Sequence, residues 1–536
     1  VQQRMVKRLG WLIGGFSASL LATPVWGLAV SVGEAGIDAL RLHAAPYNLT
    51  GSKISIGQVE IGRPAQFGLD KAAVNNNVVQ VGQVFFRDDR AQANDYVDGH
   101  ASNVASVMVS EDKYLTGVAP DATLYSSAVG IVERSGQPEE CLSSQMVAMQ
   151  DGGQVRAINF SFGESLVQDP RPDAVLDGNA LLTQCVDWSS SFHDVLYVIA
   201  GNQGTGGIPI PTDNFNGMTI ANSTQVNGVF SKVDYSNLGS EPATVLGRSP
   251  DSESNVGPRR SVSLVAPGTN IEMFNPDGSI IRATGSSFAA PHVTAAVALL
   301  HQHGDRQIST NQPNWSLDAR RHEVTKAVLM NSADKIQDSG DGLRLGMSRT
   351  MLMQNNKTWL DSDAYRDPSL PLDAEIGTGH LNVFRAYQQF SPGQWSPDEP
   401  VPAIGWDYRT VGDSSDAREF QDYVLEQPLQ GGSFVSATLT WDREVSLQDA
   451  NSSEEYDLGE LFEDAGLNNL DIYLMRAEDD DISDSIWSSV SEVDSVEHIF
   501  HEVPETGQYK IRVVYRDRVN APTQDYALAW WTMPAQ

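Results

Sequence analysis

The chain has 536 residues, 40% of them hydrophobic, and carries 69 Asp and Glu against 36 Lys and Arg, for a formal charge of −33. That is more than one ordinary domain, with ample material for a core. Such acidity argues against nucleic acid, whose phosphates would repel it, and against anionic membrane surfaces.

Residues 1–29 read as a secretory signal. Arg4, Lys7 and Arg8 precede an apolar run from Leu9 to Trp26, and Gly27, Leu28 and Ala29 offer the small-residue site that a signal peptidase reads. Cleavage there predicts a mature start near Val30, a secreted or periplasmic location and no stable membrane association. A retained anchor is the other reading, because the run is close to the minimum for a span. Residues 30–52 form a short lead-in. From 53 to about 305, strand-like runs (54–59, 78–86, 123–129, 155–162, 195–200, 262–266) alternate with helix-like ones (100–109, 141–149, 175–188, 287–301). Alternation of this kind predicts an α/β fold with a parallel sheet sandwiched by helices. Residues 306–375 are less regular; 323–334 reads as a helix and the rest as an insertion. Pro392, Pro397, Pro400 and Pro402 mark 392–405 as a stiff linker. Beyond it the period becomes two, as in Val435, Ala437, Leu439 and Trp441, so 406–536 is expected to be an all-β sandwich or jelly roll. The boundaries are thus 1–29, 30–391, 392–405 and 406–536.

The most informative segment is Gly285-Ser-Ser-Phe-Ala-Ala-Pro-His-Val-Thr294. It places Ser287 at the start of an apolar helix, where backbone N–H groups and the positive dipole end suit an attacking oxygen that leaves an oxyanion behind. A serine N-cap would read the same way in isolation. Upstream stand Ile54-Ser-Ile-Gly-Gln-Val-Glu60, Asp98-Gly-His-Ala-Ser-Asn-Val-Ala105, Gly117-Val-Ala-Pro120, Ile158-Asn-Phe-Ser-Phe-Gly163 and Ala200-Gly-Asn-Gln-Gly204; Val265-Ala-Pro-Gly268 and Gly377-Thr-Gly-His-Leu-Asn382 complete the set. In this order the segments resemble the motifs of the subtilases, the subtilisin-like serine peptidases.

The resemblance implies a subtilisin-like sheet and a serine endopeptidase acting on protein or peptide substrates through an acyl-enzyme. It implies Ser287 as nucleophile, His100 as general base, Asn202 as oxyanion donor, and Ser161, Phe162, Gly163, Ala200 and Gly201 as substrate-binding residues. Four departures stand out: Ser286 replaces a threonine, Ala101 a glycine and Asn103 a second histidine, while Glu60 occupies the place of the catalytic aspartate. A glutamate can orient the histidine, but it is longer by one methylene, about 1.5 Å of reach. The inhibitory propeptide that many relatives carry has no room between 30 and 52, and the C-terminal segment resembles the β-domain of larger subtilases at Asn468-Asn-Leu-Asp-Ile-Tyr473 and Thr506-Gly-Gln-Tyr-Lys-Ile-Arg-Val513.

Two other classes of function compete. One is a catalytically impaired subtilase fold that binds peptides or scaffolds a surface assembly. The other is the Ser-Glu-Asp peptidases, which use glutamate but lack the catalytic histidine and place an aspartate where Asn202 stands. Catalysis by Glu60, His100 and Ser287 needs no cofactor. Residues 451–500 hold fifteen Asp or Glu and one base, Arg476, which reads either as a solvated acidic loop or as a structural calcium site, with Asp471, Asp479, Asp480 and Asp481 as the candidate ligands. Cys141 and Cys185 would enter an oxidising compartment either as one disulfide or as two buried thiols. A monomer is expected.

Overall fold

The computed structural model describes residues 28–172, 174–201, 210–233, 258–353, 356–414 and 417–535. The expected signal lies outside them except for Leu28 and Ala29, which open a short helix, α1 (Leu28–Val32). Leu28 and Val32 are fully buried in the main core, so the lead-in is packed from its first turn. Among the described residues, no helix is long and apolar enough to cross a membrane.

The first unit is built on β1 (Ser55–Glu60), β2 (Gln83–Phe86), α2 (Gly99–Val109), β3 (Thr123–Ala128), α3 (Gln137–Ala148), β4 (Val155–Phe160), α4 (Leu181–His193), β5 (Leu196–Ala200), β6 (Met218–Val226), β7 (Val229–Lys232), β8 (Val262–Pro267) and α5 (Ser286–Ser309). Seven strands pair in parallel in the order β2-β3-β1-β4-β5-β6-β8, and β7 joins β6 as an antiparallel hairpin. Strands β1, β4 and β8 are buried along their whole length, so neither face is left to solvent and the polar side chains they carry are bonded inside, as Gln58 is to Ala101 O and Asn159 to the Ser161 hydroxyl. The expected helix over 175–188 begins instead at Leu181. Gly178, at φ +84, makes a turn there, and a Cβ on it would meet the Phe215 ring at 2.6 Å.

The second unit is an antiparallel sandwich. One sheet pairs β9 (Ile404–Gly412), β18 (Thr523–Trp531), β11 (Phe434–Trp441) and β16 (Val496–Glu502). The other pairs β10 (Phe420–Val424), β17 (Tyr509–Asp517), β14 (Asn469–Arg476) and β15 (Trp487–Ser489). Their alternating inward residues, among them Leu439, Leu528, Ile472 and Ile511, form one core. A further hairpin, β12 (Glu444–Leu447) with β13 (Phe462–Gly466), reaches back to the first unit. There Val445, Tyr456 and Phe462 pack on α3 and α4 around Cys141 and Cys185, which are joined by a disulfide.

The stretch expected to be a stiff linker is bound at both ends. Gln394 N donates to Asn314 O (2.7 Å), Trp395 N to Trp406 O (2.8 Å) and Val401 N to Val424 O (2.8 Å). The two units also share a continuous core, because α6 (His322–Asn331) and α7 (Val383–Phe390) lie against the β9-β18-β11-β16 sheet and Trp406, Phe434, Phe500 and Trp531 join the main cluster. The presumed insertion supplies part of this seam: Trp359 is buried edge-on against His498 and Phe500.

Arg443, just after β11, fixes the seam electrostatically. Its Nη2 donates to Asp187 Oδ2 (2.6 Å) and Gly178 O (2.7 Å), its Nη1 approaches Asp464, and both Arg443 and Asp187 are buried. Arg443→Met would leave the Asp187 carboxylate buried without its cation, so the full chain should lose about 3–5 kcal/mol in urea unfolding. A loss below about 1 kcal/mol would show that the pair does not hold the seam.

Candidate active site

Glu60 ends β1 and His100 lies in the first turn of α2; both stand at the carboxyl edge of the sheet, where such folds present their chemistry. Local bonds fix their relation. Asp98 caps α2 by accepting Ala101 N (2.9 Å), Gln58 Nε2 on β1 donates to Ala101 O (2.9 Å), and Asp98 N donates to Arg63 O (2.9 Å). Glu60 is buried, with Oε2 3.4 Å from His100 Nδ1 and with no hydrogen bond at Oε1. This approach is looser than an ordinary hydrogen bond of about 2.7–3.2 Å. The His100 side chain is 40% exposed, so a substrate can reach its far edge. The Glu60 charge holds the imidazole above its usual pKa against the downward pull of burial, with Asp98 adding to the rise.

Ser287 is the second residue of α5, and the N-cap is Gly285. The hydroxyl is therefore not spent on capping. It donates to Ser161 O (3.2 Å), while the Ser161 hydroxyl donates to Ser287 O (2.7 Å). The second bond follows from the sequence: Pro291 lacks the N–H that would bond the Ser287 carbonyl, and Ser161 takes that place. Pro291 stands in the second turn of α5, and the carbonyl it spares belongs to the first. His292, in the same motif, is fully buried between Phe288 O and Ser31 Oγ (2.7 and 2.8 Å), and burial lowers its pKa to about 4. It ties α1 to α5 and is no candidate base. The His100 ring sits 5.6 Å from the Phe288 ring, at the start of α5.

Ser161, Phe162 and Gly163 continue β4 past its end, alongside Ser287. Ala200 ends β5 and Gly201 follows it, and Gly201 O accepts the Ser286 hydroxyl (2.6 Å), which gives the serine found in place of threonine a partner. Asn202 lies outside the described residues. Asn103, in place of a second histidine, donates to Phe274 O (2.8 Å) and so holds α2 to the β-hairpin 271–283. Gly377 has φ +58, and a Cβ on it would sit 2.2 Å from Ser263 O, so the Gly377-to-Asn382 segment needs glycine to lie beside β8.

The expected calcium candidates do not converge. Asp471 is buried, accepts the Tyr473 hydroxyl (2.7 Å) and is raised by burial to about 6, while Asp481 caps a single 3₁₀ turn through Ser483 N (2.9 Å). Among the described residues, the only three His, Cys, Asp or Glu groups close enough to share an ion are Asp194, His322 and Glu323. Sequence reasoning missed them because Asp194 lies 128 residues from the His322–Glu323 pair and the three have no motif spacing.

A model of the subtilase family matches residues 27–348. Subtilisin Savinase of Lederbergia lenta is 25% identical over 240 residues, 44% of this chain and 73% of that protein. An alkaline protease of Alkalihalobacillus alcalophilus is 25% identical over 240 residues, and there the match spans about half of the relative, 52%. Subtilisin E of Bacillus subtilis (strain 168) is 25% identical over 314 residues, 57% of this chain and 68% of that protein. Among solved structures, the prenylagaramide maturation protease PagA is 19% identical, with a TM-score of 0.43 over 66% of this chain and 99% of that one.

Proposed function

The chain belongs to the subtilase family, and from that premise we propose that it is a secreted or periplasmic serine endopeptidase that cleaves protein or peptide substrates through an acyl-enzyme on Ser287. The observation that carries this reading is the convergence of the Glu60–His100 pair and the first turn of α5 on one sheet edge. His100 Nε2 takes the Ser287 proton as Oγ attacks the scissile carbonyl, then returns it to the leaving amine; water repeats the sequence to release the acyl group. For this Ser287 Oγ turns from Ser161 O toward His100, a change of side-chain rotamer, since catalytic hydrogen bonds often tighten only with substrate bound. Glu60 accepts Nδ1–H, fixes the tautomer and stabilises the imidazolium. The oxyanion is held by the Ser287 N–H and the Asn202 side chain. Ser161–Gly163 offers backbone to an extended substrate, as one more strand.

Because the base must be neutral, activity is lost as pH falls through the raised His100 pKa. The acid limb of kcat/KM should therefore lie above 6.5, the ordinary value for His, and should move down in Glu60→Gln, which removes the charge that raises it. The profile is measured on the purified chain with a peptide library as substrate, the products being read by mass spectrometry. A limb that does not move in the variant, or no cleavage by the parent chain at any pH, contradicts the assignment.

A further inference from the structure

We propose that Asp194, His322 and Glu323 form a binding site for a divalent transition ion of the zinc class, at the seam between the peptidase unit and the sandwich. Asp194 follows α4 in a left-handed conformation, while His322 and Glu323 are the first two residues of α6. His322 Nδ1 lies 3.0 Å from Asp194 Oδ1 and 3.2 Å from Glu323 Oε2, and the three ligand atoms all fall within 4.8 Å of one another. In a tetrahedral shell with bonds near 2.0–2.1 Å, neighbouring ligands stand about 3.3 Å apart, so both observed separations fit an ion with little movement.

The surroundings favour a metal beyond this spacing. Glu323 is 7% exposed and its Oε2 accepts no hydrogen bond, although it faces the imidazole. The other ring nitrogen, Nε2, meets Asp442 Oδ2 at 3.0 Å, and Asp442 is itself held by the Ser191 hydroxyl (2.6 Å). With an ion bound, Nδ1 would release its proton and give its lone pair to the metal between Asp194 and Glu323, while Asp442 keeps the proton on Nε2, the outer-shell arrangement of metal-bound histidines. Three carboxylates thus surround one imidazole. The neighbouring cations are directed elsewhere: Arg321 lies over the Tyr408 ring and Lys326 Nζ bonds Phe215 O (2.7 Å). A dication would offset the surplus negative charge better than a single imidazolium. One nitrogen with two carboxylate oxygens suits zinc and its neighbours, not calcium, which takes six to eight oxygens. A cavity of about 290 Å³ beside the cluster is lined by Glu323, one of the three ligands, and by Asp442, Arg321 and Tyr408, so the site is reached from the Glu323 side. Because Asp442 belongs to the sandwich and the three ligands to the peptidase unit, the ion would tie the two together.

The test uses the full chain, stripped with chelator and titrated at neutral pH with zinc chloride by calorimetry and with cobalt chloride by visible absorption. One equivalent of zinc and cobalt bands of a four-coordinate nitrogen–oxygen site are expected. Glu323→Gln should abolish the bands. Asp442→Asn, which spares all three ligands and serves if the first variant misfolds, should weaken zinc about 10- to 100-fold. The site is overturned if the native chain takes up no zinc, or if either folded variant binds it as tightly as the native chain. In that case the cluster is an imidazolium clamp, and any bound zinc sits elsewhere.

Discussion

Ser287→Ala should lower kcat by roughly 10⁶-fold while leaving the fold intact. The size follows from the serine's place in the chemistry: without Oγ there is no acyl-enzyme, and only binding and the oxyanion site remain to assist a water. The fold should survive because the Ser287 hydroxyl makes a single hydrogen bond, to Ser161 O at 3.2 Å, and caps nothing. The stronger tie between α5 and β4, from the Ser161 hydroxyl to Ser287 O, is a backbone interaction that alanine keeps. Unfolding in urea within about 0.5 kcal/mol of the parent, together with steady-state rates, checks both halves. A variant that still turns over peptides at a tenth of the parent rate would remove Ser287 from the mechanism.

Glu60→Gln is expected to cost about 10⁴-fold in kcat, since an amide can present N–H to Nδ1 and hold the wrong tautomer. Glu60→Asp should also lose activity, although aspartate is the residue the family motif carries. Oε2 already stands 3.4 Å from Nδ1, and withdrawing the carboxylate by one methylene widens that gap. Misplacement of about 1 Å can cost on the order of 100-fold. Measured kcat for the two variants decides the matter: a Gln variant as fast as the parent would mean that Glu60 does not orient His100, and a faster Asp variant would mean that β1 has not adjusted to the longer acid.

The parallel strands were legible because burial on both faces leaves largely apolar runs with no solvent-facing alternation, as in Val262–Pro267. Strand β6 was not. Its Asn222 and Ser223 are buried polar residues whose partners, Thr269 and His380, come from distant segments, so its sequence reads as loop. Glu60, His100 and Ser287 were legible because each sits where an element begins or ends, within a short motif. The seam was hidden for the opposite reason. Arg443 finds Asp187, and Asp442 finds His322, only after two domains have docked, and no local pattern announces such pairs. The prolines of 392–405 suggested a stiff free spacer, but local stiffness carries no information about the backbone bonds that pin the stretch at Gln394 and Val401.

The central claim is that Ser287 is the activated nucleophile, and covalent labelling tests it most directly. The native chain is treated with a serine-directed fluorophosphonate and the adduct is mapped by peptide mass spectrometry. One adduct, on Ser287, is predicted, with none in Ser287→Ala and much slower labelling in Glu60→Gln. An adduct on another serine, or equal labelling of the alanine variant, would contradict the account.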